Sequence, residues 1–137
     1  MKIIGRPTIK SEAQLRAFVK KWLPWWRDRL GLRDWHIDVE ACGPSDLEDA
    51  YADCTPQFPK RSARIRFLVP SAREEVWEKY DVEETIVHEL LHIVFGTVGV
   101  GLGEDYDSAK MSPMVLVEQQ INALAHALVT LKRGSWR

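Results

Sequence analysis

The stretch DVEETIVHELLHIVFG, residues 81–96, has the features of a helix at the centre of a protein. Asp81 and Glu84 are spaced as in a capping box, which predicts that a helix begins directly after Asp81. From Ile86 to Phe95 the predicted helix is apolar on most sides, so we expect it to be buried. Gly96 predicts where it ends.

Two histidines and a glutamate interrupt this apolar helix in the pattern His88-Glu89-x-x-His92. Histidines four residues apart on a helix lie about 40° apart around its axis and about 6 Å apart along it. Both rings can therefore bind one tetrahedral zinc ion at about 2.0–2.1 Å. Glu89 is expected at the rim of the same site, where a carboxylate can take a proton from an attacking water. Two histidines spaced by chance are the alternative, but burying these polar groups without a partner costs several kcal/mol.

A catalytic zinc ion normally has three protein ligands, and the sequence offers several candidates for the third. Glu118 is the one acidic residue in an apolar helix predicted over residues 112–132, and Asn122 lies one turn further as its expected hydrogen-bonding partner. His126 is an alternative ligand. A glycine-rich loop offers further carboxylates, at Glu104, Asp105 and Asp107. Two imidazoles and one carboxylate favour zinc, although non-haem iron uses the same ligand set.

The whole chain, residues 1–137, is predicted to form a single α+β domain. Ser11 and Gln14 are spaced as in a capping box for a first helix, which Pro24 is expected to kink or interrupt. Three strands are predicted before the histidine-bearing helix, at residues 35–40, 51–55 and 64–69. Their close spacing favours a mostly antiparallel meander, with the C-terminal helix following the histidine-bearing one.

Three tryptophans lie close together on the first predicted helix, at positions 22, 25 and 26. They are typical either of a helix packed on a sheet or of a platform on which nucleic-acid bases stack. The near-neutral charge of the chain favours packing.

Composition restricts the partners and the compartment. The chain has 137 residues, 19 Lys+Arg against 20 Asp+Glu and a net charge of −1. This balance predicts neither a nucleic-acid partner nor a polybasic membrane patch. No apolar run approaches the roughly 18 residues needed to span a bilayer, and the first residues lack a signal-like apolar segment, so we expect a cytoplasmic protein. Cys42 and Cys54 are expected to be free thiols, and the oligomeric state is left open.

Residues 83–92, EETIVHELLH, together with residues 118–125, EQQINALA, resemble the gluzincin-type metallopeptidases. The similarity is to the ImmA/IrrE-like peptidases and the compact minigluzincins. Those families carry a Glu, followed four residues later by Asn or Asp, on the helix after H-E-x-x-H, as Glu118 and Asn122 are placed here. The resemblance covers roughly residues 33–132, and in size the chain is similar to phage- or prophage-borne members.

This resemblance implies a zincin-like fold with one zinc ion per chain. It implies that His88, His92 and Glu118 are the metal ligands and that Glu89 is the general base. It also implies that an extended peptide binds by β-augmentation to an edge strand. The residues implied for that edge strand are Arg64, Arg66 and Phe67.

The resemblance leaves the group that stabilises the oxyanion open. Larger gluzincins supply a His or Tyr from a second domain, and no such domain is predicted in this chain. Tyr106 is the first candidate because its loop adjoins the predicted site, and Tyr80 is the second.

We therefore expect a zinc-dependent metalloendopeptidase that hydrolyses a peptide or protein substrate with metal-activated water. The alternative is a catalytically latent zinc-binding regulatory or interaction module of the same fold, because no oxyanion donor is evident. A non-metal interaction domain that uses the tryptophans is a third possibility.

Overall fold

The structure, a computed structural model, describes residues 5–47, 50–70, 80–96 and 113–134, with side chains from residue 116 in the last range. Its described part is an α+β arrangement, as predicted. The helices are α1 (Glu12–Arg29), α2 (Pro44–Leu47), α3 (Val82–Val94) and α4 (Pro113–Lys132). The strands are β1 (His36–Cys42), β2 (Ala52–Gln57) and β3 (Ser62–Leu68), with a 3-10 turn (Phe58–Lys60) between β2 and β3.

The three strands form a mixed sheet in the order β1-β3-β2. β2 pairs antiparallel with β3 across the 3-10 turn, whereas β1 pairs parallel with β3 along its whole length. The predicted antiparallel meander is therefore wrong. The alternation of residues along a strand indicates which face is buried, but it carries no information on which neighbour the strand pairs with or in which direction.

β3 is the central strand, and both of its edges are hydrogen-bonded. The expectation that Arg64, Arg66 and Phe67 form a peptide-binding edge strand is therefore wrong, because their backbone groups already pair with β1 and β2. Phe67 is fully buried. Arg66 lies on the opposite face, where its Nε donates a hydrogen bond of 2.9 Å to Oδ1 of Asp53.

α1 begins as predicted, because Oγ of Ser11 accepts a hydrogen bond of 3.1 Å from the backbone N–H of Gln14. The helix continues through Pro24 to Arg29, so of the two expected effects of this proline, a kink or an interruption, the interruption does not occur. Its buried face includes Leu15, Val19, Leu23 and Trp26.

The other two tryptophans of α1 pack within the molecule and hold cations on their rings. The guanidinium of Arg29 lies 3.6 Å from the ring centroid of Trp25, and Nζ of Lys132 lies 3.7 Å from that of Trp22. Since these ring faces contact the protein's own cations, the arrangement agrees with the packing interpretation.

α3 is the central helix of the described fold, and it packs against α1, α4 and β2. Asp81 caps it, because Oδ1 accepts a 3.2 Å hydrogen bond from the backbone N–H of Glu84. The helix ends at Val94, just before the predicted Gly96. A Cβ atom at Gly96 would lie 1.9 Å from the ζ carbon of Phe58, so this glycine permits a close approach between the end of α3 and the β2–β3 turn.

α4 runs along α3 and buries Ile121, Ala125 and Val129. The three residues recur every four positions, so they form one apolar stripe along the inner face of the helix. None of the described helices combines the length and the apolar character needed to cross a membrane.

Candidate metal centre

His88 and His92 lie on one face of α3, one turn apart, as their spacing predicts. Their Nε2 atoms are 3.1 Å apart and their ring centroids 4.9 Å apart. The two side chains keep 19% and 31% of their surface exposed, so the face they share is open to solvent although the helix is largely buried.

Glu118 comes from α4 and places its carboxylate on both histidines. Its Oε1 lies 2.9 Å from Nε2 of His88, and its Oε2 lies 3.1 Å from Nε2 of His92. The ligand atoms of the three residues all lie within 4.8 Å of one another, so the group could hold a metal ion. This arrangement agrees with the predicted third ligand.

The donor set and its spacing fit a small divalent cation. Ligands at about 2.0–2.1 Å in a tetrahedral site are about 3.3 Å from one another. The two Nε2 atoms here are 3.1 Å apart, and each lies 2.9 or 3.1 Å from its nearer Glu118 oxygen. The three groups therefore need only a small displacement to surround an ion.

Burial lowers the pKa of His92, and the charge of His88 acts in the same direction, while Glu118 opposes them. The net shift is downward, so the neutral ring is favoured. Because metals bind the neutral imidazole, this environment prepares His92 to act as a ligand.

Glu89 is buried beside the group, with Oε1 4.0 Å from Nε2 of His88. Burial raises the pKa of Glu89 to about 8, and the negative charges of Glu118 and Asp53 add to the shift. A cation held by the three ligands would oppose this shift, because its positive charge favours the carboxylate.

β2 contributes residues near the site that the sequence analysis did not include. Burial raises the pKa of the Cys54 thiol to about 12, with the charges of Glu89 and Asp53 acting in the same direction. Cys54 therefore lies in the same low-dielectric region as Glu89. No pattern in the sequence indicates this proximity, because it arises from the packing of β2 against α3.

The remaining predicted site residues have different positions. Asn122 is exposed and forms no hydrogen bond with the two histidines or with Glu118 in the described part of the chain. His126 lies outside the group and pairs instead with Glu84, its Nδ1 3.3 Å from Oε2. Tyr106 lies outside the described residues, as do Glu104, Asp105 and Asp107.

Tyr80 is buried and stacks on Tyr51, with the ring centroids 4.9 Å apart. Burial raises the pKa of Tyr80 well above its ordinary value, and the charge of Glu89 adds to the effect. The residue is thus a neutral phenol within the core, near the general base predicted from the sequence.

Comparison with family models, with curated proteins and with solved structures found no match in any of the three.

Proposed function

We propose that this protein is a zinc-dependent metallopeptidase of the gluzincin type. The observation that supports the proposal most directly is the convergence of His88, His92 and Glu118 from two helices, with Glu89 buried next to them. Three metal-binding groups and a carboxylate suited to proton transfer are the minimum that metal-assisted hydrolysis needs.

Zinc is the metal proposed, at one ion per chain, because two imidazoles and one carboxylate are a common catalytic zinc ligand set. When bound, the metal supplies Lewis-acid chemistry, which activates water and polarises the substrate carbonyl. His88, His92 and Glu118 hold it, and Glu118 joins α4 to α3 in doing so.

Glu89 is the proposed general base. Its carboxylate takes the proton from the attacking water and returns it to the leaving amine, so one group serves both halves of peptide hydrolysis. Its buried position beside His88 supports this role, because a dry environment strengthens its interactions with the reacting groups.

The proposed substrate is an extended peptide that adds to β2. In the part of the chain that the structure describes, β2 pairs with β3 on one side and with no strand on the other, and it packs against α3. An edge strand next to the histidine-bearing helix can bind a peptide backbone by β-augmentation. β2 thus takes the place that the sequence analysis assigned to β3.

The variant Glu89→Gln tests the mechanism. We expect it to keep one zinc ion per chain and to lower the rate of peptide cleavage by roughly 10²- to 10⁴-fold, the usual contribution of a general base. Zinc content is measured by elemental analysis and cleavage with a broad peptide library. Glu40→Gln, a change of the same kind at an exposed position on β1, is the matched control. Cleavage by Glu89→Gln at the wild-type rate would contradict the mechanism.

A latent zinc-binding module of the same fold is the second candidate. It is favoured by the position of Tyr80, since this described candidate for the oxyanion donor is buried and stacked on Tyr51. A wild-type protein that binds one zinc ion per chain and cleaves no member of the library would support the module over the peptidase. Cleavage by the wild type that depends on zinc and on Glu89 would exclude it.

A further inference from the structure

Four charged side chains form a cluster where the start of α3 meets the end of α4, and we call them the charge clamp: Asp81, Glu83, Lys132 and Arg133. Nζ of Lys132 lies 2.7 Å from Oε2 of Glu83. Arg133 binds Asp81 with both terminal nitrogens, at 2.7 and 2.8 Å, and approaches Oε1 of Glu83 to 3.5 Å. The two negative and two positive charges balance.

Glu83 is the buried residue of the charge clamp, and the clamp also contacts α1. The side chain of Glu83 is only 4% exposed, and its Oε2 accepts a second hydrogen bond, of 3.0 Å, from Nε1 of Trp26. Lys132 lies on the ring of Trp22. Each charge of the Glu83–Lys132 pair therefore has a specific position between three helices. Displacing Lys132 would leave the buried carboxylate of Glu83 without this partner.

The apolar contact between α3 and α4 is less specific. The inner face of α4 repeats an aliphatic residue every four positions, with the partly buried Val117 followed by Ile121, Ala125 and Val129. If α4 slides along α3 by one turn, each of these aliphatic residues moves close to the position that its neighbour in the repeat occupied before. Hydrophobic packing is non-directional, so it distinguishes weakly between two such registers.

We propose that the charge clamp sets the axial register of α4 against α3 and thereby positions Glu118 opposite His88 and His92. A slide of four residues moves Glu118 by about 6 Å along the helix, which takes its carboxylate out of reach of both rings. The clamp is about 21 Å from Glu118 along α4, fourteen residues away, and it acts through the rigid helix. Lys132 and Glu83 are positioning residues for the metal ligand. This inference rests on the proposed function only in treating Glu118 as a ligand.

The pair of Glu84 and His126 lies between the clamp and the metal centre but does not share this role. His126 is 71% exposed, and exposed ion pairs contribute little because water and salt screen them. It therefore offers a matched control on the same helix.

The double variant Glu83→Met/Lys132→Met separates positioning from stabilisation. Replacing such an ion pair with apolar side chains of similar volume is often neutral or stabilising, but Nε1 of Trp26 loses its acceptor, so we expect the metal-free protein to remain folded with a melting temperature at or modestly below that of the wild type. If the clamp sets the register, the zinc Kd nevertheless rises at least about tenfold. Amide exchange in the metal-free protein also becomes faster at residues 116–124 than in the wild type.

Three further variants complete the experiment. Lys132→Arg preserves the charge that faces Glu83 and is expected to keep the wild-type zinc Kd, as is His126→Gln. Arg133→Gln removes the pair with Asp81 and leaves Glu83 and Lys132 together. It is expected to raise the Kd severalfold, and it provides the test if the double variant does not fold.

Unchanged amide exchange at residues 116–124 in the folded double variant would overturn the register proposal, and so would an unchanged zinc Kd in that variant; Arg133→Gln is judged in the same way if the double variant does not fold. If the wild type itself binds no zinc, the proposed function fails. The exchange measurement on the metal-free protein then still decides whether the clamp holds the register.

Discussion

The two ends of the α3–α4 helix pair both bury charged groups, but they balance the charge differently. At the clamp, Asp81 and Glu83 face Lys132 and Arg133 at hydrogen-bonding distances. At the candidate metal centre, Glu89 and Glu118 face two histidines, and neither carboxylate pairs with a Lys or Arg in the part of the chain that the structure describes.

This difference distinguishes a polar cluster whose charges are balanced within the chain from one that could hold a cation. Groups that satisfy each other within the chain contribute to the position of the helices and need no ligand. At the candidate metal centre the negative charge of Glu118 and the raised pKa of Glu89 are not offset by a Lys or Arg in the described residues, so a divalent ion there would have no cationic side chain to displace. Burial alone does not distinguish the two ends, whereas the balance of charge does.

The largest effect is expected when one partner of the clamp is removed. Glu83→Met leaves the ammonium of Lys132 without its buried partner, so we expect the free energy of unfolding of the metal-free protein to fall by about 3–5 kcal/mol. Urea denaturation measures it. Glu12→Gln, which removes an exposed pair with Arg16, is the control and should change stability by less than about 1 kcal/mol. A loss as small as the control's would mean that the clamp behaves like a surface ion pair.

At the candidate metal centre, we expect the charge of Glu118 to affect the stability of the protein mainly through a bound zinc ion. Zinc at a hundred times its Kd stabilises a folded protein by about 2.7 kcal/mol, and Glu118→Gln should remove most of this gain. The stability of the metal-free variant should differ little from that of the wild type, because the loss of a negative charge near Glu89 offsets the loss of the carboxylate's contacts with His88 and His92. Thermal denaturation with and without zinc measures both quantities. Asn122→Ala is the control and should keep the full gain, and a gain retained in Glu118→Gln would exclude this residue as a ligand.

Acid is expected to weaken the clamp. Burial raises the pKa of Asp81, but the hydrogen bonds and charge of Arg133 outweigh it, and the net pKa lies below the ordinary value of 3.8. The unfolded state therefore binds protons more readily, so the stabilisation is fully present above about pH 5 and is lost as the pH falls through the folded-state pKa. We expect Asp81→Asn, which can still cap α3, to cost about 1–3 kcal/mol at pH 7.

The variant Asp81→Asn also tests the predicted loss of stability in acid. Urea denaturation between pH 7 and pH 2 should show a shallower loss of stability for Asp81→Asn than for the wild type. Parallel curves for the two proteins would show that Asp81 does not carry the acid dependence.

The smallest effect is expected between the two ends. His126→Ala removes an exposed pair with Glu84 and should change the free energy of unfolding by no more than about 0.5 kcal/mol. Urea denaturation at pH 7 measures the change. A larger loss would show that charge pairing between α3 and α4 stabilises the protein outside the clamp as well.

Local patterns predicted the elements well and their pairing poorly. Ser11 and Asp81 cap the helices that their side chains indicated, because a cap is formed within four residues of chain. The strands were located to within about two residues, but β3 was expected at an edge and lies in the centre. Pairing brings together segments that are distant in the sequence, and no local signal describes it.

The candidate site also combines features that the local sequence predicts with features that depend on tertiary packing. The sequence by itself determined that His88 and His92 share a face with Glu89 between them, because backbone hydrogen bonding sets the spacing of residues four apart on a helix. Only the tertiary structure decided that Glu118, and not His126, completes the group, and that β2 lies beside Glu89. Which residue of α4 meets the histidines depends on the register of two packed helices, and the contacts that fix a register, such as those proposed for the charge clamp, join residues far apart in the sequence.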